Sequence, residues 1–437
     1  MELLFKKAKN FWPTLFVIFF MVEISSAQNY SVEDSISEKM FIDNKFDEVI
    51  NYSKKNTEAF KLEKLKLRKA LCYYYNQNYS KALILLDSLS KEFNNKLAID
   101  YYFLTLEKLS RFEDIQWLSY NKEKKSKPLL TLTLYNGILI GNKNQVAQLT
   151  SDTKNYAHVV FPENISINSF IVDYKLNPKW RFFLGYSYNK LTSYNLVNYN
   201  NQKKELEFPW IQNGFYGMAV YKPKQNFELG VFYNYFVSTG TITYGTPAGV
   251  PDKNNNIRLN YFNNDINSSG FALGAHFKFQ RPFFTFETNP AIFSLGTFKQ
   301  IQSENTISIL PLGNHKLYVV GKLFLQKDSA NFNSPFSISL GKKFSNTLWF
   351  RAGYFNGNNN NLIAFWGSGI FTSLDNTMHY FDIEASIFIK KFTFVPRVVL
   401  YNRSIDYTNY RIPGSTSGVS SFNYQRIQTS LTLKYTL

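Results

Sequence analysis

From Ile427 to Leu437 the sequence alternates without a break. Ile427, Thr429, Leu431, Leu433, Tyr435 and Leu437 share one parity, and Gln428, Ser430, Thr432, Lys434 and Thr436 share the other. A period of two describes a β-strand with one apolar and one polar face. The same design recurs upstream. Trp180, Phe182, Leu184, Tyr186 and Tyr188 fall together, as do Leu229, Val231, Tyr233, Tyr235 and Val237. Phe271, Leu273, Ala275, Phe277 and Phe279 form a third set, and Phe381, Ile383, Ala385, Ile387 and Ile389 a fourth. Segments of about nine to twelve residues suffice to cross a bilayer on a tilt. A naked apolar strand in water invites aggregation. In a closed barrel, lipid covers that face, water wets the other, and pairing with the first strand removes the edge.

Composition agrees. Aromatics make up 18% of the chain, with 42 Phe and 30 Tyr, more than a soluble core needs but suited to girdles at two membrane interfaces. A mean hydropathy of −0.26 excludes a bundle of membrane helices but not a barrel. The single cysteine, Cys72, excludes an internal disulfide and a cysteine-based zinc site. Residues 1–27 read as a cleaved secretory signal: Lys6, Lys7 and Lys9 precede an apolar run from Phe11 to Val22, and Ser25-Ser26-Ala27 offers a cleavage site.

Residues 28–155 change character, with helical periodicity, few glycines and many Lys, Glu and Leu. The stretch beginning Asn44-Lys45-Phe46 returns at Gln77-Asn78-Tyr79 and again at Ser110-Arg111-Phe112, so the aromatics stand 33 residues apart. Ala70, Tyr73, Tyr79 and Ala82 make the middle copy the fullest. This spacing resembles the tetratricopeptide family, with an aromatic opening the second helix of each pair. The resemblance implies a helical solenoid packed through Phe46, Ala70, Tyr73, Tyr79, Ala82 and Phe112, with a fourth helix pair expected over residues 129–149. Its concave face would bind a periplasmic protein or, alternatively, merely space or plug the barrel. Its charge is that of an ordinary solvated surface, so nucleic acid is not implied.

Residues 156–437 are expected to form the barrel. Short turns at 177–179, 222–226, 280–282 and 390–391 alternate with long polar stretches at 192–206, 239–268, 357–361 and 404–421, expected as loops. With both ends on one side the strand count is even, about twelve to fourteen. The polar parity nominates lumen-lining residues Arg181, Glu228, His276, Lys278, Lys322, Arg351, Asp382, Glu384, Arg397 and Lys434. Both signs are present, so they either pair as a network filling a narrow barrel or line a pore. The chain carries a formal net charge of +17. That excess suits anionic headgroups or lipopolysaccharide at the rim and a lumen biased toward anions.

No metal-ligand pair, phosphate loop or nucleophile elbow appears, and no cofactor is implied. His379 with Ser373 or Ser386 is the nearest approach to a catalytic pair; the reading is a non-enzyme. The fold class is therefore α+β multidomain, a helical solenoid followed by an antiparallel transmembrane β-barrel. The terminal strand resembles the signal by which outer-membrane barrels are recognised, with Leu437 where Phe is usual. Signal, short tetratricopeptide-like domain and barrel together resemble the YaiO family of outer-membrane proteins. A related architecture occurs in exopolysaccharide exporters. The resemblance implies residence in the outer membrane of a Gram-negative bacterium, with the helices in the periplasm. It also implies transport or export of a polysaccharide or anionic solute. The alternative is a non-conducting barrel that anchors an interaction or assembly module.

Overall fold

The computed structural model describes residues 32–109, 111–123, 126–141, 156–199, 202–248, 258–295, 298–312, 316–328, 331–364, 369–410 and 418–437. The expected signal, residues 1–27, lies outside them. The chain folds as two compact units that divide between Thr105 and Leu106.

The first unit is helical. It contains α1 (Val32–Ile42), α2 (Phe46–Lys55), a short 3-10 turn (Ala59–Lys61), α3 (Glu63–Tyr75), α4 (Tyr79–Glu92) and most of α5 (Lys96–Lys108). The sequence repeat is written into the backbone. The amides of Lys45, Asn78 and Arg111 donate to the carbonyls of Met40, Tyr73 and Leu106 at 2.9, 2.8 and 2.9 Å. This six-residue closure satisfies carbonyls that a helix end leaves orphaned. The residue it encloses takes a left-handed conformation at Asn44 (φ 58°) and Gln77 (φ 59°). A helix then opens on Phe46, on Tyr79 and, in the second unit, on Phe112 in α6 (Phe112–Glu123). Val49, Ile50, Phe60, Leu65 and Cys72 form the core, with Phe46 and Tyr73 packed against it. Ala70 and Ala82 are fully buried, and Tyr79 meets the edge of Tyr74 at 5.4 Å. Burial pushes the Cys72 thiol up to about 12. A buried ion pair, Arg68 Nη1 to Asp34 Oδ1 at 2.6 Å, ties α3 to α1, and Ser37 completes it. Phe112 departs from the expectation: it is 56% exposed, because the face it shares with Glu113 is not covered as those of Phe46 and Tyr79 are.

The second unit is a closed antiparallel barrel. Its first strands are β1 (Leu129–Gly141), β2 (Tyr156–Asn177), β3 (Trp180–Tyr199), β4 (Gln202–Lys224), β5 (Phe227–Ala248) and β6 (Arg258–Gln280). Four short strands follow: β7 (Phe284–Leu295), β8 (Phe298–Ile309), β9 (Leu317–Lys327) and the two-residue β10 (Phe332–Asn333). The circuit ends with β11 (Phe336–Lys343), β12 (Leu348–Ala364), β13 (Gly369–Ile389), β14 (Phe392–Tyr410) and β15 (Gly418–Thr436). Apart from β10 and β11, neighbours in sequence pair throughout; β15 pairs with β1, and β8 with β9, so the sheet has no free edge. β10 and β11 both pair with β9 on either side of Pro335, so they build one wall position and the barrel has fourteen strands.

Two expectations are corrected. Where a fourth helix pair is expected over 129–149, Leu129–Gly141 is β1, and the barrel begins there rather than at 156; residues 142–149 lie outside the described residues. Leu130, Leu132, Leu134, Ile138 and Ile140 alternate with Thr131, Thr133, Tyr135 and Gly137, and they match β15 from Thr131↔Thr436 to Gly141↔Arg426. The long polar stretches are largely not loops either. The β5–β6 ladder continues from Thr239↔Asn267 to Ala248↔Arg258, and the β3–β4 ladder to Tyr199↔Gln202. Alternation marks a strand only where its two faces differ in environment, so backbone pairing can persist through a polar run that shows none.

Eleven residues at a tilt of about 40° rise about 28 Å, enough for the apolar band, and the strands of about twenty residues extend well past it. The wall is therefore low along β7 to β11 and taller along β2 to β6 and β12 to β15, while β1 spans 13 residues. Its outer face is apolar: Leu184 is 65% exposed and Ile383 63%. Register aligns an outward row of rings, Tyr186, Phe215, Tyr235 and Phe271, from strand to strand. A second group, with Trp180, Tyr221, Phe392 and Tyr435, gathers at the end with the short turns. Among the described residues no helix is long and apolar enough to cross a membrane.

Candidate functional site

The inner surface of the barrel is where side chains of chemical interest collect. Each nominated lumen residue occupies the parity opposite its exposed apolar neighbours in the band, as Arg181 does to Trp180 and Leu184, Lys278 to Phe277, and Asp382 to Phe381 and Ile383. The structure sorts them into clusters.

On β12 to β14, Arg351 donates to Asp382 at 2.8 Å and to Glu384 at 3.0 Å, while Arg397 Nε donates to the same Asp382 oxygen at 3.1 Å. Cα register puts Arg351 opposite Glu384 and Glu384 opposite Arg397. On β8 and β9, Lys322 pairs with buried Glu304 at 2.5 Å. Gln326 donates to Gln302 at 3.0 Å beside it. His276 on β6 is buried, with Nδ1 at 2.7 Å from Asn289 Oδ1, and Asn289 donates to Glu287 at 3.0 Å. Lys434 alone of the set is exposed, near the short-turn end of β15.

The wall of β3 to β8 also carries an inward apolar cluster of Phe183, Tyr216, Met218, Phe232, Phe236 and Phe293. Phe232 and Phe236 stand opposite Gly274 and Gly270 in the register, and their rings lie where a Cβ on either glycine would sit. The aromatic excess is thus not confined to the membrane girdles. At the far end β14 leaves β13 and pairs with β2, from Thr408↔His158 to Tyr410↔Tyr156. That contact bypasses β15 and β1 and draws the two sides together.

A further cluster lies at the short-turn end, where α6 meets the strands of its own unit. The Trp117 indole donates to the Lys222 carbonyl at 3.3 Å, and Lys175 Nζ donates to Gln116 at 2.9 Å. Lys179 sits 5.9 Å from the Trp117 ring. Asp114 is buried between Arg111, at 2.5 Å, and Lys222, at 3.7 Å. Lys222 also reaches Glu228 at 3.5 Å, and Glu228 reaches Lys278 at 3.6 Å. Arg181 holds Asp173 through two hydrogen bonds of 2.8 and 2.5 Å. Glu113 faces this assembly and stays exposed. Desolvation by the surrounding protein raises its pKa, but Lys175, Lys278, Lys222 and Arg181 outweigh that and hold the carboxyl below its ordinary value.

Arg181, Glu228 and Lys278 of this cluster carry legible alternation in their own strands. Glu113, Asp114, Lys175 and Lys222 do not. The helical pair reads as an ordinary acidic first turn, and the two lysines border turns, where alternation ends. Nothing in the sequence places a helix from residue 112 against strands a hundred residues away.

No protein family model matches the sequence, and no curated protein does. Solved structures with similar chain paths are outer-membrane barrels. A Pseudomonas aeruginosa FadL homologue aligns with 70% of this chain and 89% of its own, at 11% identity and a TM-score of 0.45. The Pseudomonas putida toluene transporter TodX aligns with 72% of this chain and 91% of its own, at 9% identity and a TM-score of 0.45. The translocator domain of the autotransporter NalP from Neisseria meningitidis aligns with 77% of this chain and 97% of its own, at 8% identity and a TM-score of 0.31.

Proposed function

We propose that this chain is an outer-membrane transport barrel with its short-turn end, helical unit and α6 in the periplasm. The observation that carries the reading is the contrast between the two faces of the wall. The outer face is apolar and ringed with aromatics, while the inner face carries charges of both signs around a solvent-accessible carboxylate at the short-turn mouth. Aliphatic and aromatic groups exposed on this scale are stable only in lipid. A charged inner surface suits a hydrated solute. The cations at the mouth favour an anionic solute, among them an acidic glycan. The helical unit, with the 33-residue repeat of the tetratricopeptide kind, would dock a periplasmic protein; helices followed by a barrel is the YaiO-like order. Outer-membrane lipid and lipopolysaccharide cover the wall.

Planar-bilayer recording of the purified chain tests this. Discrete steps with an anion-biased reversal potential in a KCl gradient support transport, and persistent silence sinks a constitutive pore. A second reading has its own support: the Arg351–Asp382–Glu384–Arg397 network and the buried aromatic cluster fill much of the inner surface. On that reading the barrel is a non-conducting anchor for the helical unit, and silence is the expected result.

A further inference from the structure

The short-turn mouth presents a particular problem of charge. Lys175, Arg181, Lys222 and Lys278 project inward from β2, β3, β4 and β6 and share one small region. Like charges so close repel unless carboxylates intervene. The wall supplies some: Asp173 is held by Arg181, Glu228 is shared between Lys222 and Lys278, and Glu287 is held by Asn289. The side chains of Lys175 and Lys222 also reach α6. Lys175 donates to Gln116, and Lys222 meets Asp114 and lends its carbonyl to Trp117. Glu113, next along the helix, sits in the field of all four cations yet remains exposed, so it is ringed but not sealed.

A packed structural contact has no need of a solvent-accessible carboxylate amid four cations. A site built for a soluble anion does. We infer that Lys175, Arg181, Lys222 and Lys278 form an anion-binding site at the mouth of the barrel, which Glu113 and Asp114 of α6 occupy in place of the solute. The ligand class is an anionic oxygen group, a phosphate or the carboxylate of an acidic sugar, and it must displace α6 to enter. This deepens the transport reading and rests on it for its purpose, though not for its chemistry. Occupation in cis keeps the mouth shut until an anion competes.

Trp117 reports the displacement. In the full mature chain with Trp180, Trp210, Trp349 and Trp366 replaced by Phe, emission from Trp117 is followed in detergent. Inorganic phosphate, glucuronate or, as a screening control, chloride is added at matched ionic strength. Phosphate or glucuronate shifts the emission to longer wavelength where chloride does not, and the more effective of the two identifies the source of the anion. E113Q/D114N is red-shifted before any addition, and K175Q/K222Q raises the anion concentration at half-shift by about tenfold. The site is overturned if phosphate and glucuronate do no more than chloride, or if E113Q/D114N leaves the emission unchanged. Conductance of E113Q/D114N with all tryptophans retained gives an independent reading: open probability rises, and phosphate reduces the current. Silent bilayers with a responsive Trp117 sink the transport reading and leave the site standing. Conductance equal to that of the unaltered chain and insensitive to phosphate sinks the site and leaves transport standing.

Discussion

Asp382 is the hinge of the inner network, and replacing it by Asn isolates what that network contributes. The Asp382 carboxylate is buried, with one oxygen at 2.8 Å from Arg351 and 3.1 Å from Arg397. Arg351 keeps a second carboxylate, Glu384 at 3.0 Å. Arg397 loses its shortest contact, so most of the penalty falls there. Removing one partner of a buried pair costs about 3–5 kcal/mol. The Arg397 side chain retains 21% of its exposure and recovers some hydration, which puts Asp382→Asn at the low end, about 3 kcal/mol. That is a factor of about 150 in the unfolding equilibrium. Arg397→Met leaves Asp382 paired with Arg351 and costs less. The coupling between the two substitutions in a double-mutant cycle is about 2 kcal/mol. Urea unfolding of protein refolded in lipid vesicles, followed by tryptophan emission, measures this, because every tryptophan after Trp12 lies in the barrel unit. Single effects that sum to the double within about 0.5 kcal/mol would refute the coupling. An unchanged urea midpoint for Asp382→Asn would refute the buried network itself.

Three further outcomes follow from the geometry. Gly274→Val places a side chain where the Phe232 ring lies and destabilises the barrel by about 1–3 kcal/mol, read in the same urea titration; the same change at Gly321, which has no atom within 4 Å of its would-be Cβ, costs less. Glu113 has a depressed pKa when α6 is docked, so its contribution to docking is complete above the ordinary carboxylate value of 4.5 and is lost as pH falls through the lower docked value. Trp117 emission therefore shifts red only on acidification below about 4.5, and E113Q removes that part of the pH dependence. Cys72 is fully buried with its thiol raised to about 12, so a maleimide leaves it unmodified in the native helical unit and labels it once urea unfolds the chain.

The sequence by itself determined the class of fold. Strict alternation in Trp180–Tyr188 or Ile427–Leu437 admits only a strand with lipid or core on one side, and the outward and inward faces in the structure follow that parity. The 33-residue spacing of Phe46, Tyr79 and Phe112 fixed where α2, α4 and α6 begin, because turn chemistry is local. Local pattern failed in two places. The polar runs of β3 to β6 beyond the apolar band carry no clean alternation and read as loops, although the backbone ladders continue through them. β1 follows a helical repeat directly, and its period of two was lost against that background. Tertiary structure alone decided the charge pairing. Parity puts Arg351, Asp382, Glu384 and Arg397 on one side of the sheet, but only strand register makes Asp382 the shared acceptor. Only the return of α6 to the barrel mouth brings Glu113 and Asp114 to Lys175 and Lys222. Those contacts join residues from about sixty to more than a hundred positions apart, and charge interactions depend on distance in space, which no local period encodes.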